Sequence, residues 1–444
     1  KNKFWFIQAL VITSFEILKT KGFAGFSYGI TAYSQWNYPV IIQICDVIGI
    51  YGLNFIIILF SCILFGFCVK KEQKGRFTFN NETNLSINDT HSHLFIVNQY
   101  QEELNTYSLK GIILILILYM ILFSGIIFYG INKINSFTKD KTIRIASIQN
   151  NEDPYENFYK ENIQALINLS DNAIDINQNV KIIVWPETSV TPAIVYHYTE
   201  KIDEERNRLV TNVLNYINKH NSVFVIGNGH RSENGYYNSA LVFKGKKNVI
   251  PPEPLIYSKN HLVPFSEYFP YEKQFPKVYK YLIDSGNSMW TPGTDFTVFN
   301  ENDFYFSTPI CFEDTFPEIS RKMYLNGSRC LIVLCDDAWS KSICCQYQHL
   351  SMAIFRTVEN RIPMVRSSSS GQTCIINSIG KIDDMAFPNC KTFASSDVEV
   401  ISKDREPTLY TKYGYFIEMG IIFLTLLLLI IPKITVIIKK IKDK

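Results

Sequence analysis

Residues Lys141–Glu187 read KTIRIASIQNNEDPYENFYKENIQALINLSDNAIDINQNVKIIVWPE, and the fold prediction begins from this segment. An apolar strand, Lys141–Gln149, is followed by helical apolar spacing over Tyr155–Ile174 and by a second apolar strand, Lys181–Glu187. Strands that are apolar on both faces are typical of a sheet covered by other layers. The segment therefore predicts a β-α-β unit in an α/β domain.

The alternation of strands and helices continues downstream. Helices are predicted at Glu200–Lys219, Phe316–Leu325 and Cys345–Arg361. The further predicted strands are Ser222–Gly229, Tyr236–Lys244, Phe304–Glu313, Cys330–Trp339, Pro363–Ser370 and Thr373–Gly380. Repeated units of this kind predict an α/β fold in which helices cover the sheet.

Three apolar segments outside this domain are long enough to cross a bilayer as helices, namely Val47–Val69, Gly111–Ile131 and Tyr415–Ile438. A fourth segment, Phe4–Leu18, contains Glu16, so it is predicted to be either the end of a span or a buried helix. Hydrophobic residues make up 47% of the chain, which fits a few spans combined with a globular part.

The distribution of basic residues predicts the orientation in the membrane. Lys70–Arg76 and Lys439–Lys444 are rich in lysine, which predicts that both lie in the cytoplasm. The intervening segment, about Asn132–Lys412, is then extracytoplasmic. The predicted division is membrane helices over 1–140 with a polar cytoplasmic loop at about 71–108, a catalytic domain over 141–405, and a last span with a basic tail over 406–444. The formal net charge of +3 gives no indication of a nucleic-acid partner.

The ten cysteines do not form a disulfide framework in a chain of this length. Cys330, Cys335, Cys344 and Cys345 suggest a metal site, but they contain no C-x-x-C motif and no histidine pair at ligand spacing. No metal and no cofactor are therefore predicted.

Three polar residues stand where apolar or extended segments end: Glu187 in VWPETS, Lys259 in YSKNHLVPFSEYFP and Cys311 in TPICFED. Reacting groups gather at strand ends in α/β sheets. A thiol has a pKa of about 8.5 and must lose its proton before it attacks a carbonyl. A carboxylate can accept that proton, and a lysine ammonium can stabilise the thiolate and the oxyanion. The three residue types together fit covalent acyl transfer.

These motifs resemble the nitrilase superfamily and, within it, the apolipoprotein N-acyltransferases of bacterial membranes. The matching segments are WPE, KNHLVPFSEYFP (Lys259–Pro270), CFE (Cys311–Glu313), DDAW (Asp336–Trp339) and QHLSMAIFRTVENRIPMVR (Gln348–Arg366). The resemblance implies a nitrilase-type α-β-β-α sandwich inserted between transmembrane α-helices. It implies a triad of Glu187, Lys259 and Cys311, with Glu267 as a second carboxylate and Glu313 as a further supporting residue. The family has eight spans, so the first four or so are expected to be missing from this sequence.

The resemblance also implies the reaction. A membrane phospholipid would donate an acyl chain to Cys311 as a thioester, and the acceptor would be the N-terminal amine of a diacylglyceryl-cysteine in an apolipoprotein. The expected location is the bacterial inner membrane, with the catalytic domain on the extracytoplasmic, or periplasmic, side. Both substrates are lipids, so aromatic residues near the triad are expected to contact them, with Phe265, Tyr268 and Trp339 as the candidates.

The sequence departs from the family pattern at Phe312, where the family usually has tyrosine, at Ser340–Lys341 after DDAW, and at Ser369. These departures leave the triad intact but affect the expected donor preference. Three alternatives remain: a membrane-tethered amidase or nitrilase with water as acceptor, a cysteine hydrolase in which His261 assists Cys311, and a catalytically inactive nitrilase domain that binds a partner at the membrane.

Overall fold

The structure is a computed structural model that describes residues 4–76, 109–152 and 158–442. Most of the predicted polar loop at about 71–108 lies outside these residues. Within them the strands are β1 Thr142–Gln149, β2 Ile182–Val190, β3 Val223–Ser232, β4 Gly235–Lys244, β5 Leu255–Ser258, β6 Phe299–Glu301, β7 Phe304–Phe306, β8 Leu331–Cys335, β9 Met364–Ser368, β10 Cys374–Ile376, β11 Ile382–Met385 and β12 Thr392–Glu399.

The helices of the central domain cover the sheets. They are α5 Tyr159–Ile176, α6 Ile194–Glu200, α7 Glu204–Lys219, α8 Pro276–Asp284, α9 Pro317–Leu325 and α10 Ile343–Asn360. The chain outside this domain forms α1 Phe4–Lys19, α2 Pro39–Ile42, α3 Cys45–Arg76, α4 Leu109–Asn135 and α11 Leu409–Lys442. We refer to α1, α3, α4 and α11 as the apolar helices.

Two sheets form the centre of the molecule. The larger has the order β12-β1-β2-β3-β4-β5, and the smaller has the order β11-β10-β9-β8. Strands β1, β2 and β3 are parallel, as are β8 and β9. The pairs β12–β1, β3–β4, β4–β5, β9–β10 and β10–β11 are antiparallel. The parallel strands carry the predicted β-α units, and their carboxyl ends lie at one edge of the sandwich.

The alternation of side chains along β2 explains the layers. Ile182 and Val184 face the smaller sheet and pack in one core with Val333. Ile183 and Trp185 face the other way and pack in a second core with residues of α5 and α7. Strand β2 in the centre of the larger sheet thus buries both faces, as its apolar run predicts. The observed α-β-β-α sandwich confirms the predicted fold class.

The predicted strand Phe304–Glu313 is shorter in the structure than expected. Regular pairing with β6 ends at Phe306, and beyond it Ser307 and Ile310 make isolated bridges to β8. Pro309 cannot donate a ladder hydrogen bond. The chain then turns into a 3₁₀ helix that begins at Cys311. Strands β5, β6, β11 and β12 were not predicted.

Among the residues that the structure describes, three helices are long and apolar enough to cross a membrane: Cys45–Cys68, Lys110–Asn135 and Leu409–Ile431. They correspond to the three predicted spans. The fourth segment forms the helix α1, which packs on α3 and α11. Large apolar side chains of α1 remain on the surface, among them Phe15 and Leu18. These exposed apolar faces are expected for helices that lie in lipid.

Helix α3 is broken at Gly49, where φ is 65° and ψ is −179°. The break frees the Ile50 amide, which donates to Glu359 Oε1 of α10 at 3.1 Å. A Cβ atom at residue 49 would lie 2.2 Å from the ring of Tyr410, so both the backbone angle and the close approach require glycine. Through this hydrogen bond the break links α3 directly to the central domain.

A second contact holds the end of α10 against the apolar helices. Arg361 donates to Asp46 Oδ2 from Nη2 at 2.8 Å and from Nε at 3.0 Å. Asp46 also accepts from the Tyr129 hydroxyl at 2.8 Å. These contacts link α3, α4 and the end of α10 through the buried Asp46 carboxylate, which is paired with Arg361 and hydrogen-bonded to Tyr129. Helix α10 also carries side chains beneath the candidate site, so the apolar helices help to position that site.

Candidate active site

Glu187 lies near the end of β2, where the pairing register with β3 shifts between Trp185 and Val190. Its Oε1 atom accepts from Asn238 Nδ2 at 2.7 Å and from Lys259 Nζ at 3.2 Å. Its Oε2 atom accepts from the Asp336 amide at 2.9 Å. With 7% of its surface exposed, Glu187 is a buried carboxylate held in one orientation. Such a group is suited to proton transfer because its position is fixed.

Lys259 follows β5, and its side chain is 1% exposed. Its Nζ atom lies between two carboxylates, at 3.2 Å from Glu187 Oε1 and 2.9 Å from Glu267 Oε1. Burial lowers the pKa of Lys259, but the two carboxylates outweigh this effect and raise the pKa well above its ordinary value. Lys259 is therefore a permanent cation inside the protein.

Glu267 holds the loop that carries Lys259. Its Oε2 atom accepts from the Val263 amide at 2.8 Å, and its own amide donates to the Val263 carbonyl at 2.9 Å. Phe265, between them, has a φ of 65°, which is unusual for a residue with a side chain. Glu267 thus spans from a tight turn to the Lys259 ammonium and fixes both.

Cys311 begins the 3₁₀ helix after Ile310, with a φ of 48°. A positive φ at a non-glycine residue stores strain and is typical of functional sites. A hydrogen bond with the Cys335 thiol, burial and the Glu187 carboxylate raise the pKa of Cys311 well above its usual range, whereas Lys259 opposes them. Cys311 therefore rests as a neutral thiol and needs a base to become a nucleophile.

Glu313 lies behind the nucleophile and is fully buried. Its Oε1 atom accepts from the amides of Asn260 and His261 at 2.8 and 3.0 Å, and its Oε2 atom accepts from the Ile310 amide at 2.8 Å. The Tyr257 hydroxyl donates to the same carboxylate. Burial raises the pKa of Glu313, and these hydrogen bonds oppose the rise. Glu313 thus ties the backbone after Lys259 to the backbone before Cys311.

The structure therefore brings Glu187, Lys259, Glu267 and Cys311 together, with Glu313 in support. Residue roles in catalysis remain predictions. His261, the candidate partner of Cys311 in a cysteine hydrolase, packs its ring 4.2 Å from the Phe316 ring and 5.6 Å from the Phe312 ring. Its backbone amide binds Glu313. This arrangement gives His261 a packing role.

A buried ionic cluster that the sequence did not reveal lies next to Cys311. His349 of α10 contacts Asp337 through Nδ1 and Asp314 through Nε2, each at 2.8 Å. Arg366 binds the same two carboxylates, at 3.2 Å from Asp314 and 3.1 Å from Asp337. Burial lowers the pKa of His349, but Asp314 leads the interactions that raise it well above its ordinary value. Burial disfavours the Asp337 carboxylate, but Arg366 and His349 lower its pKa well below the ordinary value.

The thiols of Cys311 and Cys335 and a ring nitrogen of His349 lie within 4.8 Å of one another. These atom types could hold a soft metal ion. Both ring nitrogens of His349, however, already contact carboxylates. The cluster is therefore better described as a pair of thiols above an imidazolium.

Two of the three predicted lipid-contacting residues lie together. Phe265 is 47% exposed, and its ring centroid lies 5.4 Å from that of Phe23, which also lies 6.0 Å from the Tyr268 ring. Phe23 follows α1 and was not predicted, because a single aromatic in a short loop carries no pattern. Trp339 is 54% exposed and lies on a different loop, after β8. The aromatic group of Phe23, Phe265 and Tyr268 joins the apolar helices to the loop that holds Lys259.

A polar cavity of about 330 Å³ opens beside Glu187. Two further carboxyl groups line it: burial raises the pKa of Glu152 to about 7 and that of Asp336 to about 6. The stacked rings of Tyr236 and Trp290, with centroids 4.7 Å apart, form another part of its wall. The cavity can therefore admit a polar or cationic group next to the candidate base.

The sandwich and its site fall in a known class. The family model described as carbon-nitrogen hydrolase matches residues 144–389, more than half of the chain. The crystal structure of Saccharomyces cerevisiae Nit3, a member of the nitrilase superfamily, is similar over 60% of this chain and 92% of that chain, with 17% identity and a TM-score of 0.44. The family match and the observed sandwich identify the central domain as a carbon-nitrogen hydrolase domain, as the predicted nitrilase-like domain implies.

The N-terminal residues and the similarity over most of the chain identify a narrower family. Residues 1–63 match the family model described as apolipoprotein N-acyltransferase N-terminal domain. Apolipoprotein N-acyltransferase 1 of Treponema denticola is 36% identical over 428 residues, covering 92% of this chain and 73% of that protein. The protein of the same name in Treponema pallidum is 33% identical over 413 residues, covering 89% and 71%. The chain belongs to the apolipoprotein N-acyltransferase family, as the sequence motifs predicted, and is a membrane-associated N-acyltransferase of lipoprotein biosynthesis.

Proposed function

We propose that this protein transfers a fatty acyl chain from a membrane phospholipid, through a thioester on Cys311, to the N-terminal amine of a diacylglyceryl-cysteine in an apolipoprotein. The observation that carries the proposal is the position of the Lys259 ammonium, which is shared by Glu187 and Glu267 and acts electrostatically on Cys311. A base, a cation and a thiol are the groups that this chemistry needs.

In the first half-reaction Glu187 accepts the proton of the Cys311 thiol, and the thiolate attacks the ester carbonyl of the phospholipid. The Lys259 ammonium stabilises the oxyanion of the tetrahedral intermediate. The C–O bond then breaks, and the lysophospholipid alkoxide takes the proton back from Glu187. A thioester remains on Cys311, and no net proton is lost.

In the second half-reaction the neutral amine of the acceptor attacks the thioester carbonyl. Glu187 accepts a proton from the attacking nitrogen, and Lys259 again stabilises the oxyanion. The C–S bond breaks, and the departing sulfur receives the proton from Glu187 to restore the thiol. The two halves are thus a ping-pong cycle that uses the same three side chains.

The two sides of the site differ in polarity, and each suits a different substrate group. Phe23, Phe265 and Tyr268 lie next to the apolar helices, where an acyl chain from the bilayer can reach the site. The polar cavity beside Glu187, which also contains Glu152 and Asp336, suits the amine of the acceptor. The ammonium form of the amine would be attracted by these carboxyl groups and then deprotonated near the base.

We further propose that the protein is a multi-pass protein of the bacterial cell membrane, with its catalytic domain on the extracytoplasmic side. The charge distribution around the predicted spans supports this orientation. The proposed domains are 1–140, 141–405 and 406–444. The bounds of α4, which ends at Asn135, and of α11, which begins at Leu409, fit this division.

A transfer assay tests the proposed function. The purified full chain in phospholipid vesicles is given a short peptide with an N-terminal diacylglyceryl-cysteine, and the peptide mass is followed. The peptide should gain one acyl group at its amine, whereas the same peptide with an acetylated amine should not. Release of free fatty acid without acylation of the peptide would favour the amidase-like alternative, in which water is the acceptor.

A further inference from the structure

Cys335 is the last residue of β8 and lies across from Cys311. Ile310 and Leu334 form a parallel bridge, and the Leu334 amide donates to the Pro309 carbonyl at 3.2 Å. Cys311 and Cys335 each follow one member of this bridged pair. Neighbouring strands lie about 5 Å apart, within the roughly 4.4–6.8 Å range that disulfides require between Cα atoms.

The two side chains point toward each other. Their sulfur atoms are among the ligand atoms that lie within 4.8 Å of one another, and the proximity of the Cys335 thiol raises the pKa of Cys311. Both are free cysteines and both are buried. A modest rotation of the two side chains would therefore bring the sulfurs to bonding distance, without movement of the sandwich.

The cavity beside Glu187 can bring an oxidant to the residue next to Cys335, although neither cysteine lines the cavity. Asp336, which directly follows Cys335, lines that cavity together with Glu187. The cavity of about 330 Å³ is polar and much larger than a peroxide molecule. The same proton transfer that prepares Cys311 for acyl transfer would also generate the thiolate that peroxides attack.

We propose that Cys335 is a resolving thiol for Cys311, and that the two form a reversible disulfide when the protein meets a hydroperoxide. The Cys311 thiolate attacks the peroxide, an O–O bond breaks, and Cys311 becomes a sulfenic acid. The Cys335 sulfur then attacks the sulfenic sulfur, an S–S bond forms, and water leaves with the S–O oxygen. Two thiols are oxidised by two electrons, and the peroxide is reduced to water or an alcohol plus water.

This bond would have two consequences. It blocks acyl transfer, a consequence that rests on the proposed role of Cys311 as the nucleophile. It also protects Cys311, because a sulfenic acid that is not captured proceeds to the irreversible sulfinic acid. Cys335 itself takes no part in the proposed acyl transfer. Burial raises its pKa to about 11, so it is a neutral thiol at ordinary pH.

The experiment compares the full chain with three variants in phospholipid vesicles. Each protein is reduced, exposed to hydrogen peroxide, assayed for acyl transfer, and assayed again after dithiothreitol. Peptides are mapped by mass spectrometry at each stage. Cys335→Ser and Cys335→Ala remove the proposed resolving thiol, and the second guards against an effect of the serine hydroxyl on folding. Cys390→Ser removes a partly exposed cysteine on another loop and is the matched control.

The unsubstituted protein and Cys390→Ser should lose activity by about tenfold or more, regain most of it with dithiothreitol, and yield a peptide pair joined through residues 311 and 335. Each Cys335 variant, compared with its own activity before oxidation, should lose activity on peroxide treatment and fail to regain it with dithiothreitol, with sulfinic acid on Cys311. Absence of the joined peptides, or full recovery of the Cys335 variants, would overturn the proposal. Joined peptides with undiminished activity would instead refute Cys311 as the nucleophile, since the mapping does not depend on activity.

Discussion

Replacement of the two carboxylates that bind Lys259 should give different losses. In Glu267→Gln the side chain has one oxygen in place of two, so it can accept from Lys259 Nζ at 2.9 Å or from the Val263 amide at 2.8 Å, but not from both. A hydrogen bond that involves a charged group contributes about 1.5–3 kcal/mol. Since about 1.4 kcal/mol corresponds to a factor of ten, acylation of Cys311 should slow by roughly ten- to a hundredfold.

Glu187→Gln removes the proton acceptor itself. General-base catalysis contributes roughly a factor of 10² to 10⁴, so this loss should lie at or beyond the upper end of the Glu267→Gln loss. In Glu187→Gln the side-chain oxygen can still accept from Lys259 and Asn238, but the amide nitrogen then faces the Asp336 amide, which loses its acceptor. The Tm of this variant is therefore measured beside its rate, so that a folding defect is separated from the loss of the base. Glu272→Gln changes an exposed carboxylate just beyond the same loop and should leave the rate unchanged.

The assay is a single turnover with excess enzyme over labelled phospholipid, quenched at increasing times, with acyl-Cys311 measured by mass spectrometry. We expect the rate of Cys311 acylation to be highest in Glu272→Gln, lower in Glu267→Gln and lowest in Glu187→Gln. A Glu187→Gln variant that acylates normally, with Glu267→Gln inactive, would exchange the two roles and refute the mechanism.

Three further predictions concern stability and topology. Gly49→Ala should lower the Tm in detergent, because the backbone angles at residue 49 cost an alanine about 1–3 kcal/mol and the new Cβ would lie 2.2 Å from the Tyr410 ring. The control Gly125→Ala, whose Cβ would meet open space in α4, should leave the Tm unchanged. Equal Tm values for the two variants would contradict the role of Gly49 in the kink. Glu152→Gln should raise the Tm most above about pH 7 and much less near about pH 5, because burial raises the pKa of Glu152 in the folded protein to about 7. The folded state loses stability as the pH rises from the ordinary glutamate pKa to about 7, and the loss is complete above that value. A gain at low pH only would reverse the sign of the effect. A cysteine introduced at exposed Glu233 should react with a membrane-impermeant thiol reagent on intact spheroplasts, above the labelling of the unsubstituted protein. A cysteine introduced within 77–108 should not react. The opposite pattern would invert the proposed orientation.

The site residues that stand at strand ends could be predicted from the sequence alone. Glu187 lies near the end of β2 and Lys259 follows β5, and the family motifs pair them with Glu267 and Cys311. In an α/β sandwich such positions converge because parallel strands share one edge. The fold class followed from the same apolar runs.

The remaining neighbours of the site depend on strand register, which the sequence does not encode locally. Asn238 lies in the middle of β4 and reaches Glu187 only because of how β3 and β4 pair. Cys335 was interpreted from its spacing to other cysteines, whereas its partner is set by the bridge of Ile310 to Leu334. A one-residue shift in that pairing would turn the thiol to the other face.

The central claim is that Cys311 carries the acyl chain. Membranes that contain the full chain are incubated with a phospholipid bearing a labelled acyl group and no acceptor, and the peptide that contains Cys311 is examined by mass spectrometry. The account predicts one labelled acyl group on Cys311, removable by neutral hydroxylamine and absent from Cys311→Ala and nearly so from Cys311→Ser. Acyl transfer at an undiminished rate by Cys311→Ala, or an acyl group found on a different residue, would contradict it.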